Sequence, residues 1–183
     1  MTIWTRALAT VTLVGIALTA RAADKPLAEG TKAPDVELKA VQLEKALPDM
    51  KDAKTFKLAD FKNKKNVVLF FYPKAMTSGC TKESCGFRDV YADLAKHDTV
   101  VIGISTDNAD DQKKFIDKEH LNFPLIADPE KKATQAFGAL NERGMAFRYT
   151  FVIDKTGVIR KTYLKVDPNK HPPEVLEFVK SMK

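Results

Sequence analysis

The apolar segment at residues 66–72 (NVVLFFY) restricts the possible folds more than any other part of the chain. It carries β-branched and aromatic residues with no alternating polar face, which is typical of a strand buried on both sides. Residues 99–105 (TVVIGIS) repeat this pattern, and between the two segments the apolar side chains of residues 78–96 recur at helical spacing. Strands of this kind lie at the centre of sheets that helices cover on both faces. The sequence therefore predicts an α/β fold.

Weaker patterns predict further elements on either side of this core. They are a strand at 36–41, an insertion or short helical loop at 42–55, a short extended segment at 56–58, helices at 109–119 and 129–137, a strand at 123–127, a hairpin of 149–153 with 158–164, and a final helix at 172–182. A parallel βαβ unit followed by a hairpin and a terminal helix is the element order of a thioredoxin-like fold, in which helices flank a central mixed β-sheet.

The first 22 residues have the organisation of an export signal. Arg6 precedes an uncharged, largely apolar run at residues 7–20, and Ala20-Arg21-Ala22 supplies the small residues that a signal peptidase recognises. As a helix this run spans about 21 Å, less than the roughly 30 Å of a bilayer's hydrocarbon core. We therefore expect residues 1–22 to be a cleaved signal peptide. Residues 23–183 would form one exported, periplasmic domain without stable membrane association; an uncleaved anchor is the alternative.

Charge and histidine placement bear on the partners of the chain. The formal net charge is +6, but the lysines are scattered, without interleaved aromatic residues or a zinc-finger spacing. We therefore expect no nucleic-acid partner. His97, His120 and His171 are far apart in the sequence, and their neighbours are charged residues, proline or asparagine. This pattern predicts surface positions for all three and no metal site.

Cys80 falls in the first turn of the helix predicted to begin at residue 78. The free N–H groups of a first helical turn concentrate positive potential there, which favours a thiolate over a thiol. Thr77 or Ser78 can cap this helix, and Gly79 lets the backbone approach a ligand closely. These features indicate a reactive nucleophile; a buried, inert cysteine is the alternative.

Cys85, the other cysteine of the chain, lies five residues further on. In an ideal helix this spacing separates the two Cα atoms by about 8.6 Å, whereas a disulfide rarely tolerates more than about 7 Å. Oxidation of the pair therefore requires local unwinding of the helix. We predict a pair that cycles between a folded dithiol and a locally unfolded disulfide; a permanently oxidised, non-helical segment is the alternative.

Four stretches around the cysteines form a recognisable signature: Phe71-Tyr72-Pro73-Lys74-Ala75, Thr77, Gly79-Cys80-Thr81-Lys82-Glu83 and Cys85-Gly86-Phe87-Arg88-Asp89. This signature resembles the active site of atypical two-cysteine peroxiredoxins, in the bacterioferritin comigratory protein or peroxiredoxin Q group. The similarity extends over residues 30–182. Two positions depart from the pattern of the family: Met76 stands where an acid is frequent, and Ser78 where a second proline is frequent. We expect these departures to affect substrate preference and the ease of unwinding.

The resemblance implies a role for each site residue. Cys80 would be the peroxidatic nucleophile and Cys85 the resolving thiol. Pro73 would shield the site from bulk water, and the Thr77 hydroxyl would bond to the peroxide. Two further residues are implied at the nucleophile: Arg148, just before the predicted strand of the hairpin, would hold the thiolate and the peroxide oxygens, and Glu83 would orient this arginine. An exposed helix acid is the alternative interpretation of Glu83, and a surface strand residue that of Arg148.

The function implied by the resemblance is a thiol-dependent peroxidase that reduces hydrogen peroxide and organic hydroperoxides. It would need no cofactor because sulfur itself carries the two electrons, and a thioredoxin-like donor would reduce the disulfide of a monomeric enzyme. Two other functions stay open. An exported thioredoxin-like disulfide oxidoreductase acting on protein thiols would be expected to carry Cys-x-x-Cys. A copper-delivery module would need Cys-x-x-x-Cys and a distant histidine. Neither spacing is present.

Overall fold

The computed structural model describes residues 25–48 and 53–182. The predicted signal peptide, residues 1–22, lies outside the described residues. Among the helices of the described residues, none combines the length and the apolar character needed to cross a membrane.

Within the described residues, seven strands form one mixed sheet: β1 (Glu37–Val41), β2 (Thr55–Lys57), β3 (Asn66–Phe71), β4 (Thr99–Ser105), β5 (Leu125–Ala127), β6 (Thr150–Ile153) and β7 (Ile159–Tyr163). Their order in the sheet is β2-β1-β5-β4-β3-β6-β7. The neighbours β3–β4 and β4–β5 are parallel and the other pairs antiparallel. The helices are α1 (Ser78–Ala95), α2 (Ala109–Glu119), α3 (Lys132–Ala136) and α4 (His171–Ser181). The predicted α/β class, with a central mixed sheet and flanking helices, is confirmed.

The sheet separates two apolar cores, because the side chains of β3 alternate between its faces. Val68 and Phe70 point to the face covered by α1, α2 and α4, and Val67, Leu69 and Phe71 point to the other face, where α3 packs. Both central strands are buried along almost their whole length, as their sequences predict. The segment predicted as an insertion or helical loop contains a 3₁₀ turn at Leu43–Lys45, and residues 49–52 are outside the described part.

Element boundaries agree with the sequence patterns to within a few residues, and the strand predicted at 123–127 is shorter than expected. It begins only at Leu125, because Pro124 has no N–H to donate to a neighbouring strand. Helix α2 begins after Asn108, whose side chain accepts a hydrogen bond from the amide of Asp111, and α4 carries proline in its first turn.

The prediction that all three histidines lie at the surface is wrong for His171. His97 and His120 are exposed, but His171 is buried at the start of α4. Its Nε2 lies 2.8 Å from the hydroxyl of Thr150, and its ring packs edge-on against Phe87 and Tyr163. Spacing in the sequence gave no sign of this, because the burial comes from long-range packing of α4 on α1 and β7.

The topology brings three chain segments together at one edge of the sheet. Because β3 and β4 are parallel, both end there, and β3 leads through a loop at 72–77 into α1. Strand β6 runs antiparallel to β3 and therefore begins at the same edge, where the amide of Phe71 donates to the carbonyl of Tyr149 at 2.7 Å. The residue just before Tyr149 is Arg148, so the fold delivers this side chain to the start of α1.

Candidate active site

The start of α1 is prepared by the loop that follows β3. Thr77 occupies the N-cap position with extended backbone, but its hydroxyl donates to the carbonyl of Lys74 at 2.9 Å and does not cap a helix amide. Of the two residues expected to cap the helix, Thr77 or Ser78, Thr77 stands at the N-cap, but its side chain accepts no hydrogen bond from a helix amide. Met76 has a positive φ of 62° and an exposed side chain. Pro73 is half-buried in this loop.

Cys80 is fully buried in the first turn of α1, and Arg148 reaches it from the start of β6. The Nη2 of Arg148 donates to the Sγ of Cys80 at 3.3 Å, and its Nη1 donates to Oε2 of Glu83. Cys80 and Glu83 are three residues apart and therefore lie on the same face of α1. The guanidinium thus bridges the sulfur and the carboxylate, and the structure brings together three of the residues that the resemblance singled out.

Glu83 is fully buried, so the alternative of an exposed helix acid is wrong. Burial raises the pKa of Glu83 to about 7, although the charge and hydrogen bond of Arg148 act in the opposite direction. The other carboxylate oxygen, Oε1, is buried without a hydrogen-bond partner. Burial on its own lowers the pKa of Arg148, but Glu83 and Cys80 raise it overall, so the guanidinium stays charged beside the sulfur.

Gly79 makes the approach of Arg148 possible. A Cβ atom at this position would lie 3.3 Å from Nη2 of Arg148 and 3.8 Å from Cγ of Pro168. Where the sequence predicts the close approach of a ligand, the side chain of Arg148 lies beside Gly79.

Cys85 lies on another side of α1 and faces the end of α2. Its thiol is partly buried and donates to Oε2 of Glu119 at 3.8 Å. Burial raises the pKa of the Cys85 thiol, the nearby Glu119 carboxylate raises it further, and Arg88 opposes the change. Both cysteines are free in one continuous helix, so the alternative of an oxidised, non-helical segment does not match the structure.

A buried polar network behind the loop was not predicted from the sequence. The Tyr72 hydroxyl donates to Oε1 of Gln112, whose Nε2 donates to the Ser105 hydroxyl at 2.8 Å. Ser105 in turn donates to Oδ2 of Asp107 at 2.6 Å. The same carboxylate oxygen accepts the amide of Ala75 at 2.8 Å. The network therefore anchors the loop that carries Thr77 to the end of β4 and to α2.

The sequence does contain a signal for part of this arrangement. Gln112 and Glu119 share helical spacing with Phe115 and Ile116, so both polar residues lie on or beside the apolar face of α2. Polar side chains at such positions require partners inside the protein. Asp107 follows the buried strand β4, whose end lies next to the end of β3 in a parallel sheet.

Within residues 25–48 and 53–182, no group of three or more His, Cys, Asp and Glu side chains is arranged to hold a metal ion.

Together, a thioredoxin-like sheet and a buried cysteine at a helix start, held by an arginine, define a thiol-based redox enzyme. Residues 30–162 match the AhpC/TSA family, and the chain belongs to this family. Peroxiredoxin Bcp of Bacillus subtilis is 41% identical over 160 residues, which cover 84% of this chain and 95% of that protein. The chloroplastic peroxiredoxin Q of Triticum aestivum is 40% identical over 134 residues, 72% of this chain and 61% of the relative.

A solved structure agrees with these sequence relatives. The crystal structure of peroxidoxin BcpB from Mycobacterium tuberculosis superposes with a TM-score of 0.73 at 29% identity and covers 85% of this chain and 97% of that one. The resemblance to the Bcp and peroxiredoxin Q group is thereby confirmed, and the chain is a peroxiredoxin, a thiol peroxidase. The comparisons support this activity and not a disulfide oxidoreductase acting on protein thiols.

Proposed function

We propose that the chain reduces hydrogen peroxide and organic hydroperoxides with Cys80 as the peroxidatic nucleophile and Cys85 as the resolving thiol. One observation carries the assignment of the nucleophile. The Arg148 guanidinium lies 3.3 Å from the Cys80 sulfur and is fixed on its other side by the buried Glu83. A cation held at a buried sulfur stabilises the thiolate, which is the reactive form.

In the first step the Cys80 thiolate attacks the peroxide oxygen that carries the hydrogen. The S–O bond forms as the O–O bond breaks, giving Cys80 sulfenic acid, and the alkoxide or hydroxide that leaves takes up a proton. Arg148 stabilises the negative charge as it moves from the sulfur to the leaving oxygen. The Thr77 hydroxyl already donates its proton to Lys74, so its oxygen would accept the hydrogen of the bound peroxide.

In the second step the Cys85 sulfur attacks the sulfenic sulfur of Cys80. The disulfide forms, the sulfenic hydroxide leaves, and the thiol proton completes a water molecule. Because α1 is continuous from Ser78 to Ala95, it must open locally before the two sulfurs meet. A thioredoxin-like dithiol would then supply two electrons and restore both thiols.

The test follows the reduced protein after mixing with one equivalent of hydrogen peroxide in a stopped-flow instrument. We expect a fast change in tyrosine fluorescence, since the one tryptophan, Trp4, lies in the predicted signal peptide, together with a disulfide between Cys80 and Cys85 by mass spectrometry, and neither in Cys80→Ser. In Cys85→Ser the fast step should persist and end in sulfenic acid. Consumption of peroxide no faster than by a free thiol would overturn the proposal.

We also propose that residues 1–22 are removed on export and that residues 23–183 act in the periplasm as a monomer. Arg6, the apolar run at residues 7–20 and the small residues before Ala23 support the export signal. The test is to express the full chain in a bacterium, fractionate the cells and sequence the amino terminus of the recovered protein. A periplasmic product starting at Ala23 is expected, with monomer mass by light scattering. A product that keeps Arg6 and sediments with membranes would identify an anchor.

A further inference from the structure

The carboxyl end of α2 holds the part of α1 that carries Cys85. The Glu119 side chain accepts the Cys85 thiol at 3.8 Å, and the Glu119 carbonyl accepts Nη1 of Arg88 at 2.7 Å. Three residues after Glu119, the Asn122 side chain donates to the carbonyl of Arg88 at 3.1 Å. Side-chain and backbone groups of one short segment thus hold two residues of α1 that follow the peroxidatic turn.

This contact turns the Cys85 sulfur away from Cys80. Five residues in a helix correspond to a rotation of about 140° beyond one full turn, so the two sulfurs leave the helix on different sides. The Cys80 sulfur faces Arg148, whereas the Cys85 sulfur faces Glu119. Since a disulfide requires the two sulfurs to touch, the bond between Cys85 and Glu119 must break before resolution can occur.

The chemistry of the contact also opposes resolution. A thiolate is the form that attacks the sulfenic sulfur, and a carboxylate that accepts the S–H of Cys85 favours the thiol. Glu119 forms no hydrogen bond with Cys80 or Arg148, so its effect is confined to the second step.

We infer that Glu119 is a positioning residue that holds the Cys85 thiol protonated and turned away from Cys80, and that release of this contact limits the rate of disulfide formation. The inference rests on the proposed role of Cys85 as the resolving thiol. It has a consequence for inactivation: the longer Cys80 remains a sulfenic acid, the more of it a second peroxide molecule oxidises to sulfinic acid. Glu119 would therefore influence the peroxide concentration at which oxidation of Cys80 to sulfinic acid inactivates the enzyme.

The first experiment measures the rates of Cys80 oxidation and of disulfide formation in Glu119→Ala, Glu119→Gln and the matched control Asp117→Ala. Asp117 lies two residues before Glu119 on the same helix, and its exposed carboxylate pairs with Lys113. In Glu119→Ala we expect Cys80 oxidation within about twofold of the original rate, and disulfide formation about threefold to tenfold faster, the range given by loss of one weak hydrogen bond. Glu119→Gln should lie between, because the amide oxygen still accepts but carries no charge. Sulfinic acid at excess peroxide should fall in the same order.

The second experiment does not depend on peroxide chemistry. In the reduced Cys80→Ser protein, we expect iodoacetamide to alkylate Cys85 faster when Glu119 is replaced by alanine, and at the original rate in Asp117→Ala. A disulfide phase that is unchanged or slower in Glu119→Ala, with the fast phase intact, would overturn the inference and leave the proposed function standing. If the unaltered protein showed no fast oxidation of Cys80, the proposed function would be contradicted instead. The alkylation rates would then decide whether Glu119 holds Cys85.

Discussion

The Nη2 of Arg148 donates to the Sγ of Cys80 at 3.3 Å, although the two residues are separated by 68 positions in the chain. The antiparallel pairing of β6 with β3 produces this relationship, because it starts β6 at the edge where β3 ends. The other terminal nitrogen of Arg148, Nη1, donates a hydrogen bond to Oε2 of Glu83, which fixes the guanidinium in one orientation.

Replacement of Arg148 by lysine is expected to slow Cys80 oxidation by about 10²-fold to 10³-fold, the usual cost of losing one donor at a developing charge. A lysine keeps the positive charge, but it has one nitrogen and cannot hold Glu83 and Cys80 in the fixed geometry of a guanidinium. Single-turnover stopped-flow mixing with hydrogen peroxide measures this rate. Arg143→Lys, on the exposed part of the preceding loop, is the control and should leave the rate unchanged.

Glu83→Gln is expected to slow the same step by about tenfold, because a neutral acceptor holds Arg148 about 1.4 kcal/mol less strongly than a charged one. Glu83→Ala should be slower still, since it leaves Arg148 without this partner. The measurement is the single-turnover rate in both variants, with circular dichroism to verify folding. Equal rates in the original protein and in Glu83→Ala would contradict a positioning role for this carboxylate.

Local patterns in the sequence predicted most of the fold. The apolar composition of residues 66–72 and 99–105 predicts two buried strands, which the structure shows. The helical pattern at 109–119 predicts both ends of α2, Ala109 and Glu119. The burial of His171 could not be predicted, because it depends on how α4 packs against Phe87 and Tyr163.

The candidate site was predictable to a similar degree. The resemblance to the family singled out Cys80, Glu83 and Arg148, and the structure brings Arg148 and Glu83 to Cys80. The partners supplied by α2 and by the end of β4 were not predicted. Asp107 and Glu119 act on backbone and thiol groups of other elements, and their contacts depend on the sheet order.

Acid should destabilise the protein through His171. Burial and, to a smaller extent, the charge of Arg148 together lower the pKa of this imidazole to about 4, whereas the unfolded chain has a value of 6.5. As the pH falls from 6.5 towards 4, the unfolded state takes up a proton that the native state refuses, so stability is lost in this window. The full effect is about 3 kcal/mol.

The check is the free energy of urea unfolding between pH 4 and pH 8 for the original protein and His171→Gln, whose amide can still bond to Thr150. We expect the difference between the two to change in favour of the variant as the pH falls below 6.5. Glu83, with its raised pKa, adds a dependence of opposite sign: its contribution to stability is lost as the pH rises through about 7. Because both proteins contain Glu83, this contribution cancels in the comparison. A difference that stays constant with pH would contradict the burial of a neutral His171.

Alanine substitutions at two glycines of α1, Gly79 and Gly86, are expected to affect the catalytic rate and the stability separately. A Cβ at Gly79 would lie 3.3 Å from Nη2 of Arg148, so Gly79→Ala should displace the guanidinium by a few tenths of an ångström. A Cβ at Gly86 would lie 2.7 Å from Cγ of Pro172 and would force α1 and α4 apart. We expect Gly79→Ala to slow Cys80 oxidation by about tenfold, because reactions of this kind are sensitive to small misplacements. Its stability should be kept, since alanine favours a helix more than glycine does.

Gly86→Ala should show the reverse behaviour. Overpacking against Pro172 is expected to reduce the free energy of unfolding by about 1–3 kcal/mol, while Cys80 oxidation stays close to the original rate because Arg148 and Glu83 are not displaced. Denaturant titration and single-turnover kinetics on both variants measure the two effects. If Gly79→Ala lost stability and kept its rate, the space at Gly79 would serve helix packing, and the placement of Arg148 against Cys80 would not depend on it.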